Sequence, residues 1–310
     1  MKNTAKVLII KLGYSETLDP QIGTLCSLGD VLRTTEILHA YPDAEITWLT
    51  DSAAVPLLAG NRRIARILTL DLITVLQLLG ERFDSVINLE KVPGICALAD
   101  RVNAWHKLGF RLDPVTGRAE AYEHAQEALT IASKDDEKRR NNRCWQEVLF
   151  AMLNKPWEKK GYLLGYQPAT VEQYDIGFNL HVGPKFPVKA WPAEHWRQLE
   201  TQLQGRYQIT WQQSLDNIQR YIDWINQSRL IISNDSLGLH LAIALNKKVI
   251  ALIGPTSPTE IPQLDTVRIL RPASDRDCIP CFATTCARQD PCMRLIAPAR
   301  VAQVVTELLA

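Results

Sequence analysis

The chain has 310 residues, with 35 Lys plus Arg against 34 Asp plus Glu, so its formal net charge is +1 with histidines neutral. That balance excludes a polybasic nucleic-acid or anionic-membrane binder, which needs an excess of positive charge or a basic run. With 46% hydrophobic and 22% charged residues a disordered chain is excluded as well, and at about 150 residues per domain two domains are expected. The opening MKNTAKVLIIKLG has four consecutive apolar residues before Lys11, too short for a signal-peptide core. No stretch reaches the run of about 18 apolar residues that a transmembrane segment needs, so a cytoplasmic protein is expected.

In chain order, Lys6 to Ile10 is a short apolar run of the kind buried on both faces of a parallel sheet. A loop carrying Gly13, Pro20, Gly23 and Gly29 follows, and helical spacing starts at Asp30 and runs to Leu38. Glu45 to Thr50 reads as a strand, Ser52 to Ala59 as a helix, Ile64 to Leu70 as a strand, Leu72 to Leu79 as an apolar-striped helix and Ser85 to Leu89 as a strand. Strands alternating with helices predict βαβ units and a parallel sheet. From about Ala119 to Lys159 a charged helical stretch is expected, with Asp135-Asp136-Glu137-Lys138-Arg139-Arg140 on it, read either as a solvated face or as a contact for an anionic acceptor. Alternation resumes with strands at Tyr174 to Leu180, Tyr207 to Trp211, Leu230 to Ser233 and Val249 to Ile253. Between them lie helices at Glu194 to Gln204, Ile218 to Ser228 and Leu239 to Leu245. The expectation is two doubly wound α/β halves, 1–168 and 169–310, leaving a cleft, with chemistry in the loops beyond the carboxyl ends of the strands.

Four such loops carry suitable side chains. Ser27-Leu28-Gly29-Asp30 offers a carboxylate at a loop-to-helix junction, either a helix N-cap or a general base. Ser233-Asn234-Asp235-Ser236-Leu237-Gly238-Leu239-His240 ends a buried strand and starts a helix, so its hydroxyl and main-chain N–H groups suit a diphosphate; Asp235 and Ser236 also suit capping, and His240 a buried core position. Gly254-Pro255-Thr256 follows the next buried strand, as a ligand-facing loop or simple turn punctuation. Lys185 and Lys189, in the loop after the 174–180 strand, are placed to neutralise phosphate unless they are merely solvated.

Ser27-Leu28-Gly29-Asp30, Lys189-Ala190-Trp191-Pro192, Asn234-Asp235-Ser236 with His240, and Gly254-Pro255-Thr256 stand in the order found in the heptosyltransferases of glycosyltransferase family 9, which the chain resembles over most of its length. The segments Tyr41 to Ile46 and Cys292 to Pro298 are similar to that family too. The resemblance implies a GT-B fold, two Rossmann-like domains, with the acceptor on the N-terminal half and an ADP-sugar donor on the C-terminal half. It implies inverting transfer of a heptose from ADP-heptose to a saccharide or lipid-linked saccharide such as lipopolysaccharide inner core, at the inner face of the inner membrane, with no catalytic cofactor and no nucleic-acid partner. Asp30 falls on the family's catalytic base and Lys189 on its phosphate-contacting lysine. Asp235, Ser236, Gly238, His240, Gly254 and Thr256 fall on its nucleotide-sugar loops. The chain departs from the pattern at Leu237, where glycine is usual, at Glu36, where proline is common, and in a longer Lys11 to Cys26 loop beside the base. A nucleotide-sugar epimerase and a non-catalytic sugar-nucleotide binding protein are the alternatives.

Of seven cysteines, Cys278, Cys281, Cys286 and Cys292 form a C-x2-C-x4-C-x5-C array. That array suits a structural Zn or Fe site, with reduced thiols and disulfides as the other readings. Cys26, Cys96 and Cys144 are dispersed and read as small apolar residues.

Overall fold

The computed structural model describes residues 4–14 and 23–310. The chain divides into two compact units, Met1–Tyr166 and Gln167–Ala310, each built on its own sheet.

The first unit runs β1 (Lys6–Ile10), α1 (Leu28–Thr34), β2 (Glu45–Thr50), α2 (Val55–Leu58), β3 (Arg66–Thr69), α3 (Leu72–Gly80), β4 (Arg82–Asn88), α4 (Pro93–Arg101), β5 (Asn103–Leu112), β6 (Ala119–Ala121), α5 (Gln126–Ser133), α6 (Asp135–Arg140) and α7 (Trp145–Met152). A 3-10 turn, Thr35–Ala40, continues α1. The strand order is β3-β2-β1-β4-β5-β6, parallel except for β6, which pairs antiparallel with β5. The order reverses between β1 and β4, so the loops that follow these two strands meet at the switch point of the sheet. Strand β1 shows why its sequence is a continuous apolar run: Val7 and Ile9 pack with Val31, Trp48 and Leu149, while Leu8 and Ile10 pack with Leu78, Phe83 and Leu98 on the opposite face.

The second unit runs β7 (Tyr174–Asn179), α8 (Ala193–Leu203), β8 (Ile209–Trp211), α9 (Ile218–Asn226), β9 (Ser228–Asn234), α10 (Leu237–Ala244), β10 (Lys248–Leu252), β11 (Val267–Leu270) and α11 (Pro298–Leu309). Its order is β11-β10-β9-β7-β8, all parallel. Phe178, Ile232 and Leu252 form one core face with Trp196, Leu199 and Val305. Phe178 anchors it through Trp196 at 5.3 Å and Trp211 at 5.2 Å.

The expected charged helical stretch from Ala119 to Lys159 is corrected: Ala119–Ala121 is a short edge strand, and three separate helices follow. The edge strand forms because β5, ten residues long, offers free backbone at Phe110 to Leu112 for pairing. The acidic-then-basic α6 has no buried residue and is held by Asp136–Arg139 and Glu137–Arg140 pairs, in the sense the helix dipole favours. Elements α4, β5, β11 and α11 lie in segments where no element was expected.

Candidate active-site loops

In the first unit, α1 starts at Leu28 with Ser27 as N-cap, so Asp30 is not the cap; it lies in the first turn of the helix. Its carboxylate faces cations instead of backbone. Oδ2 pairs with Lys11 Nζ, and Oδ1 accepts from Arg33 Nε at 3.0 Å. Lys11, the first residue past β1, also lies 3.4 Å from Glu90 Oε1 in the loop after β4. That glutamate oxygen accepts from the backbone N–H groups of Leu12 and Gly13, both at 2.7 Å. Burial by itself would raise the pKa of Asp30, but Lys11 and then Arg33 outweigh it and hold the carboxyl far below the usual carboxylate range. Lys91, next to Glu90, is pushed down to about 8 by burial and by the charge on Lys11. Asp30 is thus ionised at any working pH. The expected long loop from Lys11 to Cys26 falls in part outside the described residues, at 15–22.

In the second unit, three loops converge. Lys189 closes a 3-10 turn after β7, Asp235 follows β9, and Thr256 follows β10. Lys189 Nζ sits 3.0 Å from Asp235 Oδ2, and Thr256 Oγ1 donates to the same oxygen at 2.7 Å. The ammonium also lies 4.7 Å from the centre of the Phe186 ring. Both Lys189 and Lys185 are buried rather than solvated, as loop lysines usually are. Burial would raise the pKa of Asp235, but Lys189, His240 and the Thr256 hydroxyl together hold it well below the ordinary range. His240 is buried one turn into α10.

Ser236 is the N-cap of α10, yet its side chain makes no capping bond; Asp235 lies outside the helix and does not cap it. The Ser236 hydroxyl instead accepts from Asn179 Nδ2 at 3.0 Å. Gly238 has a packing reason, since a Cβ there would fall on the Asn179 amide and the Tyr221 hydroxyl. At Gly254 a Cβ would come within 2.9 Å of Cys292 Sγ, so the loop after β10 lies against the C-terminal segment.

Sequence reasoning missed Lys11, Glu90 and Lys91 in the first unit and Asn179 and Tyr221 in the second. The signal for the first three was a lysine ending one apolar run and a Glu-Lys pair ending another.

Cys292 lies within electrostatic reach of the other three clustered thiols. Burial first, then the negative charge of Cys281, Cys286 and Cys278, pushes Cys292 up to about 11. Among the described residues, no three His, Cys, Asp or Glu side chains are already arranged to hold a metal. Cys144 is buried and stands at the N-cap of α7, where its backbone N–H donates to Glu147 Oε2 at 3.0 Å.

Residues 215–291 match the profile of glycosyltransferase family 9 (heptosyltransferase). Lipooligosaccharide heptosyltransferase 2 of Haemophilus influenzae is 31% identical over 147 residues, 38% of this chain and 40% of the relative. The aligned part therefore spans about two fifths of that relative's length. The fold is similar along the whole chain. The structure of E. coli heptosyltransferase WaaC with ADP covers 98% of this chain and 100% of its own, at TM-score 0.63 and 16% identity. The iron-containing dodecameric glycosyltransferase TibC from enterotoxigenic E. coli covers 100% of this chain and 77% of its own, at TM-score 0.60 and 12% identity. The protein is thus a GT-B α/β protein related to glycosyltransferase family 9, the heptosyltransferases.

Proposed function

We propose that the chain is an inverting glycosyltransferase that moves a heptose from ADP-heptose to a saccharide or lipid-linked saccharide, such as the inner core of lipopolysaccharide. The observation that carries this reading is the contact of Lys189, Asp235 and Thr256 from the loops after three neighbouring strands, in the unit that carries the family match. A diphosphate needs concentrated positive charge and backbone donors, and Lys189 beside the first turn of α10 supplies both. Asp235 holds that lysine in place. As the sugar–phosphate bond breaks, Lys189 and the helix terminus take up the charge growing on the departing ADP.

On the acceptor side, Asp30 accepts the proton of the attacking hydroxyl while the new C–O bond forms at the anomeric carbon. Its depressed basicity makes that transfer late, when bonding to carbon has made the hydroxyl strongly acidic. The work belongs in the cytoplasm, at the inner face of the inner membrane when the acceptor is lipid-linked. Among the described residues no helix is long and apolar enough to cross a membrane.

Incubation with ADP-heptose, with and without candidate acceptors, tests the reading through ADP release. Acceptor-dependent release supports it. Conversion without an acceptor means a nucleotide-sugar epimerase, and binding without turnover means a binding protein; either overturns the transferase.

The cysteine cluster extends the reading. Cys278, Cys281, Cys286 and Cys292 form a thiolate set suited to Fe or Zn, supported by the electrostatic reach of the first three to Cys292 and by the iron named for the similar TibC structure. Four thiolates leave no open coordination position, so the ion would clip the C-terminal segment and take no part in transfer. Protein purified without added metal should carry about one equivalent of Fe or Zn; finding neither sinks this part.

A further inference from the structure

Asn179, Tyr221 and Gln212 form a polar chain under the loop that holds Asp235 and Ser236, and the direction of every hydrogen bond in it is fixed. It begins at a group that can only donate, the backbone N–H of His181, which gives its proton to Gln212 Oε1 at 2.7 Å. Gln212 must then present its amide nitrogen to Tyr221, and Nε2 donates to the tyrosine oxygen at 2.9 Å. The tyrosine hydroxyl therefore gives its single proton to Asn179 Oδ1. Asn179 in turn has only its amide nitrogen left for the serines. That nitrogen donates to Ser233 Oγ at 2.7 Å and to Ser236 Oγ at 3.0 Å. Ser233 passes its own proton to the Asn234 carbonyl at 2.6 Å. Ser236 accepts from Asn179, so its proton is turned away from the network.

We propose that Asn179 is a positioning residue that, oriented by Tyr221 and Gln212, keeps the Ser236 hydroxyl as a hydrogen-bond donor toward a phosphate of the nucleotide diphosphate. The proposal rests on the reading that the second unit holds the donor. The same network accounts for the displaced glycine. The first turn of α10 lies directly on the Asn179–Tyr221 pair, where a side chain at 238 has no room, so glycine stands at 238 while Leu237 takes the place where the family usually has it.

Tyr221→Phe is the informative variant because it is neutral and removes the hydroxyl that fixes Asn179, together with the oxygen that accepts from Gln212. The amide can then turn its oxygen to the serines and draw the Ser236 proton inward. ADP affinity should fall roughly tenfold, the size of one hydrogen bond to a charged group, while adenosine affinity stays unchanged. In a Ser236→Ala background the same change should have no further effect on ADP. Wild-type ADP affinity in folded Tyr221→Phe, an equal loss for adenosine, or an equal loss in the Ser236→Ala background overturns the proposal. A ligand-free check uses Gly238→Ala, which should lower the melting temperature in the wild type and lower it less in an Asn179→Ala background; equal costs also overturn it. Failure of the wild type to bind ADP instead overturns the donor reading itself, and is told apart because the Gly238 comparison needs no nucleotide.

Discussion

Two aspartates carry the chemistry proposed for this chain, Asp30 buried and Asp235 part-buried, and each is kept ionised by a lysine brought to it by a different segment: Asp30 by Lys11 and Asp235 by Lys189. Removing the cation should expose the cost of the remaining charge. Lys189→Ala should destabilise the fold by roughly 2 kcal/mol in denaturant unfolding, because it takes the ammonium away from the part-buried Asp235 carboxylate. A loss below about 0.5 kcal/mol, typical of a surface substitution, would contradict the Lys189–Asp235 pair. The depressed pKa of Asp30 also has a sign. A carboxyl lowered in the folded state adds stability above its unfolded pKa of about 4, and that stability is lost as pH falls through and below this value. Unfolding midpoints measured from neutral to acid pH should therefore fall less steeply in Asp30→Asn than in the wild type, and equal slopes would contradict the Lys11–Asp30 pair.

At the scale of elements, the 3-10 turn after α1 ties down the segment that closes the first unit. Glu36 Oε1 accepts from Trp157 Nε1 at 2.7 Å and Gly161 N at 3.1 Å, and Thr35 Oγ1 accepts from Leu163 N at 2.8 Å. This strap explains a glutamate where the family commonly has proline. Burial outweighs these hydrogen bonds and raises the pKa of Glu36, the opposite sign to Asp30. A raised carboxyl adds stability below its unfolded pKa, and that is lost as pH rises through the folded pKa. Glu36→Gln keeps the accepting oxygen and removes the charge. It should melt higher than the wild type at about pH 8, with the gap closing toward about pH 4; a gap independent of pH would contradict the assignment.

Strands β1, β2, β9 and β10 were legible because strands covered on both faces are mostly apolar. Strand β6 was not, since Ala119-Glu120-Ala121 has no pattern of its own and exists by pairing with a segment about ten residues away. The polar residues that end buried strands, Asp235 and Thr256, stood out as chemistry against apolar runs. Lys11, Glu90 and Asn179 did not, because a buried polar residue is recognised by its partners, and those come from elements distant in sequence.

Across the whole molecule, the balance of 35 basic against 34 acidic residues means that the cationic character needed for a diphosphate is local, built from Lys189 and a helix terminus. The central claim is a division of labour, with the proton accepted in the first unit and the nucleotide held in the second. Comparing Asp30→Ala with Lys189→Ala tests it most directly, measuring ADP affinity by calorimetry and ADP-heptose turnover on the same preparations. The account predicts that Asp30→Ala binds ADP like the wild type but does not transfer, whereas Lys189→Ala loses ADP affinity by roughly tenfold or more. Near-full transfer by Asp30→Ala, or undiminished ADP binding by Lys189→Ala, would contradict it.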